Sequence, residues 1–271
     1  MSNGTYDLKW GQDLADQISP QIKGEVGTIL KEHPLIPIVP GKSNYQDVVQ
    51  SFRVTPGPPQ SIKPSSKLAP VKISLEFQLA QQQFDDVVLA GRLALRPAAD
   101  LAFAVETIIL HGARADETFQ KRHLVVKDEN NTLDEQEGLF QAVPQPIEAQ
   151  RSIVDSILDG IQTLRGNLQH GPYCVVVSPD LHREAMEPLG DSGMTRIAPI
   201  LPQLRDDGFR FSEAAPERTG VIFSLGGGAV DLPIPWDAHV ECRTVEGDAT
   251  FVIVEQFRLR INDPRAVVPL S

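Results

Sequence analysis

Cysteine is scarce: the 271 residues include two, Cys174 and Cys242. Neither has another cysteine within four residues, and the six histidines include no pair at i, i+4, so no zinc site is readable. Two reduced thiols in a cytosolic chain are the expectation. No apolar run approaches the length of a membrane span, and the opening "MSNGTYDLKWGQD" has no apolar stretch of the signal-peptide kind. Basic residues are outnumbered, 25 against 36 acidic ones, for a net charge of −11. That balance argues against nucleic acid as the main partner and favours solubility, and no membrane partner is expected. No Gly-Lys-Ser/Thr and no Gly-x-Ser-x-Gly occurs. With 41% apolar residues, the chain has enough for a sizeable core in one large domain or two modest ones.

Periodicity supplies most of the remaining information. Residues 8–31 read as helix, with Trp10, Leu14, Ile18, Ile22, Val26 and Ile29 at three- and four-residue spacing. Ser19 and Pro20 suggest a split into two helices there, with one kinked helix as the alternative. Strict alternation in Val71, Ile73, Leu75, Phe77 and Leu79 predicts a half-exposed strand, and "DVVQSFRV" upstream is a candidate to pair with it as a long two-stranded arm. Such an arm has too little core to stand alone in water. Residues 81–95 and, from Pro97, "PAADLAFAVETIILHGA" read as two further helices. The loop 128–138, "DENNTLDEQEG", reads as a solvated excursion. An amphipathic helix follows through Ile153, Ile157, Ile161 and Leu164 to Gly166, then a short buried strand "YCVVV", with Cys174 as a small hydrophobe. The end of the chain is β-rich.

Chemistry is thin. The run Gly226-Gly227-Gly228 follows an apolar stretch, but "AVDLPIPW" comes next, which is strand; a phosphate loop needs a helix N-terminus there. The run reads as a turn between strands. Ser178, Asp180 and His182 fall within "SPDLH", yet a serine cap with Pro179 in the first turn accounts for them without a catalytic triad. Asp85 and Asp86 read as a solvated face. No catalytic residue, cofactor site or metal site is expected.

Several segments together carry a resemblance. "GPYCVVVSPD" (171–180), "EPLGDSGMTRIAPILPQL" (187–204), "GGGAVDLPIPWDAHV" (226–240) and "FVIVEQFRLRINDPRAVVPL" (251–270) resemble encapsulins, the nanocompartment shell proteins that share the fold of HK97-type phage capsid proteins. Upstream, "ISLEFQLAQQQFDDVVLAGR" and "AADLAFAVETIILHG" resemble that family's strand, short helix and long spine helix, whereas residues 1–70 match loosely. The resemblance implies an α+β fold with a peripheral domain (1–46, 76–121 and about 225–240), an extended β-arm loop (47–75) and an axial domain (122–224 and 241–271).

It also implies a function without catalysis: self-assembly, on the order of sixty or more copies, into a closed cytoplasmic shell. Such a shell encloses cargo enzymes of the peroxidase or ferritin-like type, bound through a short C-terminal peptide of the cargo. Gly190, Asp191, Ser192, Gly193 and Met194 fall where the family places its fivefold pore loop; an ordinary surface turn is the alternative. Trp10, Leu14, Ile18, Ile22 and Val26 form an apolar stripe that either lines a cargo-peptide groove or packs on the chain's own spine helix. A phage or prophage capsid protein is the competing reading, and a hydrolase a weaker one.

Overall fold

The computed structural model describes residues 8–28, 38–40, 49–55, 61–83, 86–141, 146–148, 151–190, 193–246 and 248–270. In chain order the elements begin with α1 (Leu8–Gly27), β1 (Ile38–Pro40), β2 (Val49–Thr55), β3 (Ser61–Leu68), β4 (Val71–Leu79) and α2 (Val87–His111). Then come α3 (Ala115–Lys121), β5 (Lys127–Asp128), α4 (Ile153–Gly166), β6 (Tyr173–Val177), α5 (Pro179–Ala185) and β7 (Leu204–Phe211). The chain ends with β8 (Gly220–Ser224), β9 (Val230–Ile234), β10 (Trp236–Glu246), β11 (Asp248–Phe257), β12 (Arg260–Ile261) and β13 (Val267–Leu270).

Two cores organise the chain. In the first, α1 and α2 pack on a sheet ordered β10-β11-β4-β5. Leu14, Ile18 and Ile22 share this core with Leu101, Val105 and Ile108 of α2 and with Ile73, Phe251 and Ile253 of the sheet. The second core sets Ile153, Ile157, Ile161 and Leu164 of α4 against a sheet ordered β13-β8-β6-β7. Strand β6 joins the two: Cys174 and Val176 belong to the first core, Tyr173, Val175 and Val177 to the second. A strand covered on both faces needs no polar alternation, which is why "YCVVV" is apolar throughout. The glycine turn 226–228 links β8 to β9, and so passes from this sheet to a small one ordered β1-β9-β12.

Several expectations need correction. Helix α1 is not split at Pro20; it runs through, and α2 runs through Pro97 in the same way, starting at Val87 rather than 81. An interior proline costs about 3 kcal/mol, but Leu14, Ile18, Ile22 and Val26 on either side of Pro20 are all buried, and that packing outweighs it. Asp86 is exposed, as expected, and also fixes the start of α2 by accepting from Val88 N at 2.9 Å and Leu89 N at 3.1 Å, while Asp85 lies outside the described residues.

The arm is also paired differently. β2 pairs with β3, antiparallel, with Arg53 opposite Lys63; β4 instead lies between β11 and β5. The alternation in β4 does mark two faces: Val71, Ile73, Leu75 and Leu79 are buried, whereas Glu76 and Gln78 on the other face are exposed and only Ser74 there is buried. Finally, the acidic loop is no free excursion. Gln136 is fully buried, and its carbonyl accepts from Ala113 N at 3.0 Å at the end of the spine helix. A Cβ on Gly112 would lie 2.3 Å from that carbonyl oxygen, and Gly112 has a φ of +56°, so glycine is required twice over. Strand β7, "LRDDGFRF", was not foreseen as a strand at all; it pairs in parallel with β6.

Candidate functional site

The serine cluster does not converge. Ser178 stands at the N-cap of α5, but its hydroxyl does not turn back to the helix amides as expected; it is buried, and its approach to Asp180 falls short of ordinary hydrogen-bond geometry. Burial works to raise the Asp180 pKa, but Ser178 and the amides of Arg218, Asp180 and Leu181 outweigh it and hold the carboxyl below its ordinary range. The carboxylate has taken the place at the helix start that the serine was expected to fill. His182 lies between the rings of Phe209 and Phe211, with centroids 5.1 and 5.0 Å away, and burial lowers its pKa. An imidazole packed there cannot serve as a base for Ser178. Cys174 is 1% exposed, and burial pushes its thiol up to about 11, as a small core residue requires. Among the described residues no three potential metal ligands cluster.

The loop after α5 is a narrow turn. Pro188 and Thr195 form a β-bridge, Leu189 N donates to Met194 O at 2.7 Å, and Arg196 pairs with Glu187 at 2.8 Å. Gly190 and Gly193 have φ of +56° and +72°, with no atom within 4 Å of a would-be Cβ. Glycine is needed there for backbone conformation and not for space. Met194 and Leu189 are exposed apolar side chains at its base. Asp191 and Ser192 lie outside the described residues.

The apolar stripe of α1 is consumed by the chain itself. Leu14, Ile18, Ile22 and Val26 are each 3% exposed or less, and Trp10 packs partly buried against the same core. They leave no groove among themselves. Helix α1 covers the free edge of the first sheet: Ser19 Oγ accepts from Val240 N at 3.0 Å and Gln12 Oε1 from Cys242 N at 3.3 Å, which satisfies amides that edge strand β10 would otherwise expose. Beside this seam runs an open groove of about 730 Å³, lined by the polar side of α1 (Asp16, Lys23) and by Asp237, His239 and Glu241 of β10. Lys23 and Asp237 pair across it at 2.7 Å.

Two buried charges were missed by the sequence reading. Arg258, 1% exposed, donates to the carbonyls of Ala69 and Glu135. Glu106 on α2 is partly buried against the segment after β7; burial raises its pKa, while a hydrogen bond from Ser212 opposes that rise. Nearby, Arg122 pairs with Glu213 at 2.5 Å and sits 4.2 Å from the centre of the Phe103 ring. The signal for Glu106 was a charged residue inside the apolar face "LAFAVETIIL".

The fold defines the class. The structure is similar to the virus-like particle from Pyrococcus furiosus, with a TM-score of 0.66 at 12% identity over 94% of this chain and 98% of that one. It is also similar to the capsid of Myoviridae phage XM1, with a TM-score of 0.57 at 12% identity, covering 89% and 91% of the two chains. A third likeness is to the holo-SrpI encapsulin complex from Synechococcus elongatus PCC 7942, with a TM-score of 0.55 at 9% identity, covering 88% and 85%. The chain has the HK97-type capsid fold. Within that class, residues 130–258 match the Linocin_M18 family model, described as encapsulating protein for peroxidase, so the encapsulin likeness holds in sequence as well as in fold. No curated protein matches the chain. Among the described residues no helix is long and apolar enough to cross a membrane.

Proposed function

We propose that the chain is a structural shell protein that assembles with copies of itself into a closed icosahedral nanocompartment in the cytoplasm and encloses cargo enzymes, of the peroxidase or ferritin-like type. The observation that carries this reading is the family match over residues 130–258, a stretch that holds the second core apart from β13 and reaches the buried Arg258. The reading needs no cofactor and no catalytic residue. In it, the first core is the peripheral domain and the second core the axial domain, and of the 47–75 stretch expected as the extended loop, 71–75 go with the peripheral domain, because Val71, Ile73 and Leu75 of β4 belong to the first core. Because β10 and β11 share a sheet with β4, residues 241–257 go with the peripheral part rather than the axial one. The turn at 187–195 is the pore loop.

Cargo would dock through a short peptide on the inner wall. The five stripe residues of α1 are taken up by the core, so the docking place moves to the groove between α1 and β10. One short peptide binds weakly, and many equivalent sites facing a multimeric cargo supply avidity.

Negative-stain microscopy of the purified protein tests the shell. Closed particles of one size support it; a protein that stays monomeric or dimeric at high concentration refutes it. A phage-type capsid is the second reading, favoured by the likeness to the XM1 capsid. Expression with candidate cargo separates the two, since only the encapsulin reading expects a co-purifying enzyme inside the particles.

A further inference from the structure

Apart from the groove beside α1, a cavity of about 310 Å³ opens at the seam between the two cores. One wall is α3 with the turn before it, anchored in the first core by Ala115 and Phe119. The facing wall is the segment 216–219 ahead of β8. That segment is tied down: Thr219 Oγ1 donates to Pro216 O at 2.6 Å, and Arg218 is joined to Ile147 of the second core. Ile147 N donates to Arg218 O at 2.8 Å, and Arg218 Nε donates to Ile147 O at 3.2 Å. His111 completes the lining; it donates from Nε2 to the Ala214 carbonyl at 2.7 Å, and its ring centre lies 5.6 Å from that of Phe140.

Besides His111, four charged side chains line this space. Arg114, Glu117 and Lys121 recur on one side of the α3 wall, and Glu217 stands on the other wall. All four are exposed. Among the described residues none of them forms an ion pair, although their sequence neighbours Arg122 and Arg218 pair with Glu213 and Glu184. Two cations and two carboxylates thus face one small space without neutralising one another by contact. A simple anion would satisfy half of them, and Glu117 beside the two cations disfavours a dianion such as phosphate. A ligand carrying both signs satisfies both walls. Phe140 and Pro216 add apolar surface, and the volume lies at the lower end of the range that holds small molecules.

We propose that this cavity binds a free amino acid with an apolar side chain. Arg114 and Lys121 take its carboxylate, Glu217 takes its ammonium group, and its side chain lies against Phe140 and Pro216. So placed, the ligand ties one core to the other. The proposal is independent of the shell reading, because every contact lies within one chain.

The test is saturation-transfer NMR on the full chain in whatever assembly it adopts, with L-leucine and L-phenylalanine as probes. The leucine analogues 4-methylpentanoate and 3-methylbutylamine each lack one charge. An amino acid should bind with a Kd of about 1 mM or tighter, and each analogue at least roughly tenfold more weakly than leucine. Arg114→Gln should weaken the amino acid and 4-methylpentanoate alike. Glu217→Gln should weaken the amino acid and spare 4-methylpentanoate. Circular dichroism checks that both variants fold, and the wild-type comparison of ligands decides without them. No binding of either amino acid up to about 10 mM overturns the proposal. So does 4-methylpentanoate or inorganic phosphate binding as tightly as leucine, which would make this a plain anion site. Amino-acid binding that both folded variants leave unchanged would also overturn it, by placing the ligand elsewhere.

Discussion

Arg258 donates from Nη1 to the backbone carbonyl of Ala69 at 3.2 Å, which fastens the end of β11 to the first residue beyond β3. Its Nη2 donates to the carbonyl of Glu135, so one guanidinium joins the arm's root to the acidic loop. Burial pushes its pKa below the ordinary arginine value, and the carboxylates of Glu135 and Glu137 oppose that shift without cancelling it. A buried cation held mostly by carbonyls is costly to place, and what it secures is the junction of the residue after β3, the acidic loop and the end of β11.

Arg258→Met keeps much of the volume and removes both hydrogen bonds. Loss of hydrogen bonds from a charged donor is expected to cost about 1–3 kcal/mol, readable in urea unfolding of the dissociated subunit. Assembly should suffer more than stability, with open or mixed-size particles by microscopy. Particles of uniform wild-type size would show that the arm's root needs no such fastening.

Stability against pH tests Glu106. Its folded pKa lies above the ordinary 4.5, with burial as the main cause. Between the two values the folded state holds more protons than the unfolded one, so this group's contribution to stability falls as pH rises through that window. Glu106→Gln removes the penalty. The variant should match the parent at about pH 4 and exceed it near pH 7, in denaturant unfolding compared pair by pair. His111 acts in the other direction. Burial lowers its pKa below 6.5, against a hydrogen bond to the Ala214 carbonyl at 2.7 Å, so stability is lost as pH falls below that value. A Glu106→Gln variant that is less stable than its parent at neutral pH would mean that the carboxylate's contacts with Ser212 and the nearby arginines outweigh its burial.

The pore reading rests on the turn at Gly190 and Gly193 and on the acid between them. Around a symmetry axis Asp191 would repeat as a ring and favour cations. Asp191→Lys should slow metal-ion entry into intact shells by roughly tenfold or more without changing particle size. Unchanged uptake would place the pore elsewhere.

What the sequence disclosed follows from how local each signal is. The amphipathic stripe of α4 and the doubly buried "YCVVV" were readable because one element's own residues carry the pattern. The continuity of α1 and α2 through Pro20 and Pro97 was not, because tertiary packing decides it. Alternation in Val71–Leu79 announced a strand but not its neighbours, and pairing with β11, far along the chain, has no local mark. The groove beside α1 was hidden for the same reason. Its walls come from residues 12–23 and 235–241, and the periodicity of α1 draws attention to the buried side instead.

The same distinction decides the last experiment. If the α1 stripe were a docking surface, removing residues 1–20 would spare the shell and abolish cargo loading. The structure changes that expectation. Such a deletion takes Leu14, Ala15 and Ile18 from the first core and bares the β10 amides that Ser19 and Gln12 cover. Each large apolar residue lost from a core costs about 2–5 kcal/mol, against a total stability of about 5–15 kcal/mol. The truncated chain should therefore fail to fold or to assemble. Asp16→Lys with Glu241→Lys, by contrast, takes nothing from either core, losing only Glu241's contacts with His239 and Arg243 and the hydrogen bond Asp16 accepts from Gln12, and should leave particles intact while reducing co-purified cargo. Particles of this double variant with full cargo would remove the groove from consideration, and a well-folded, assembling truncation would return the docking role to the stripe.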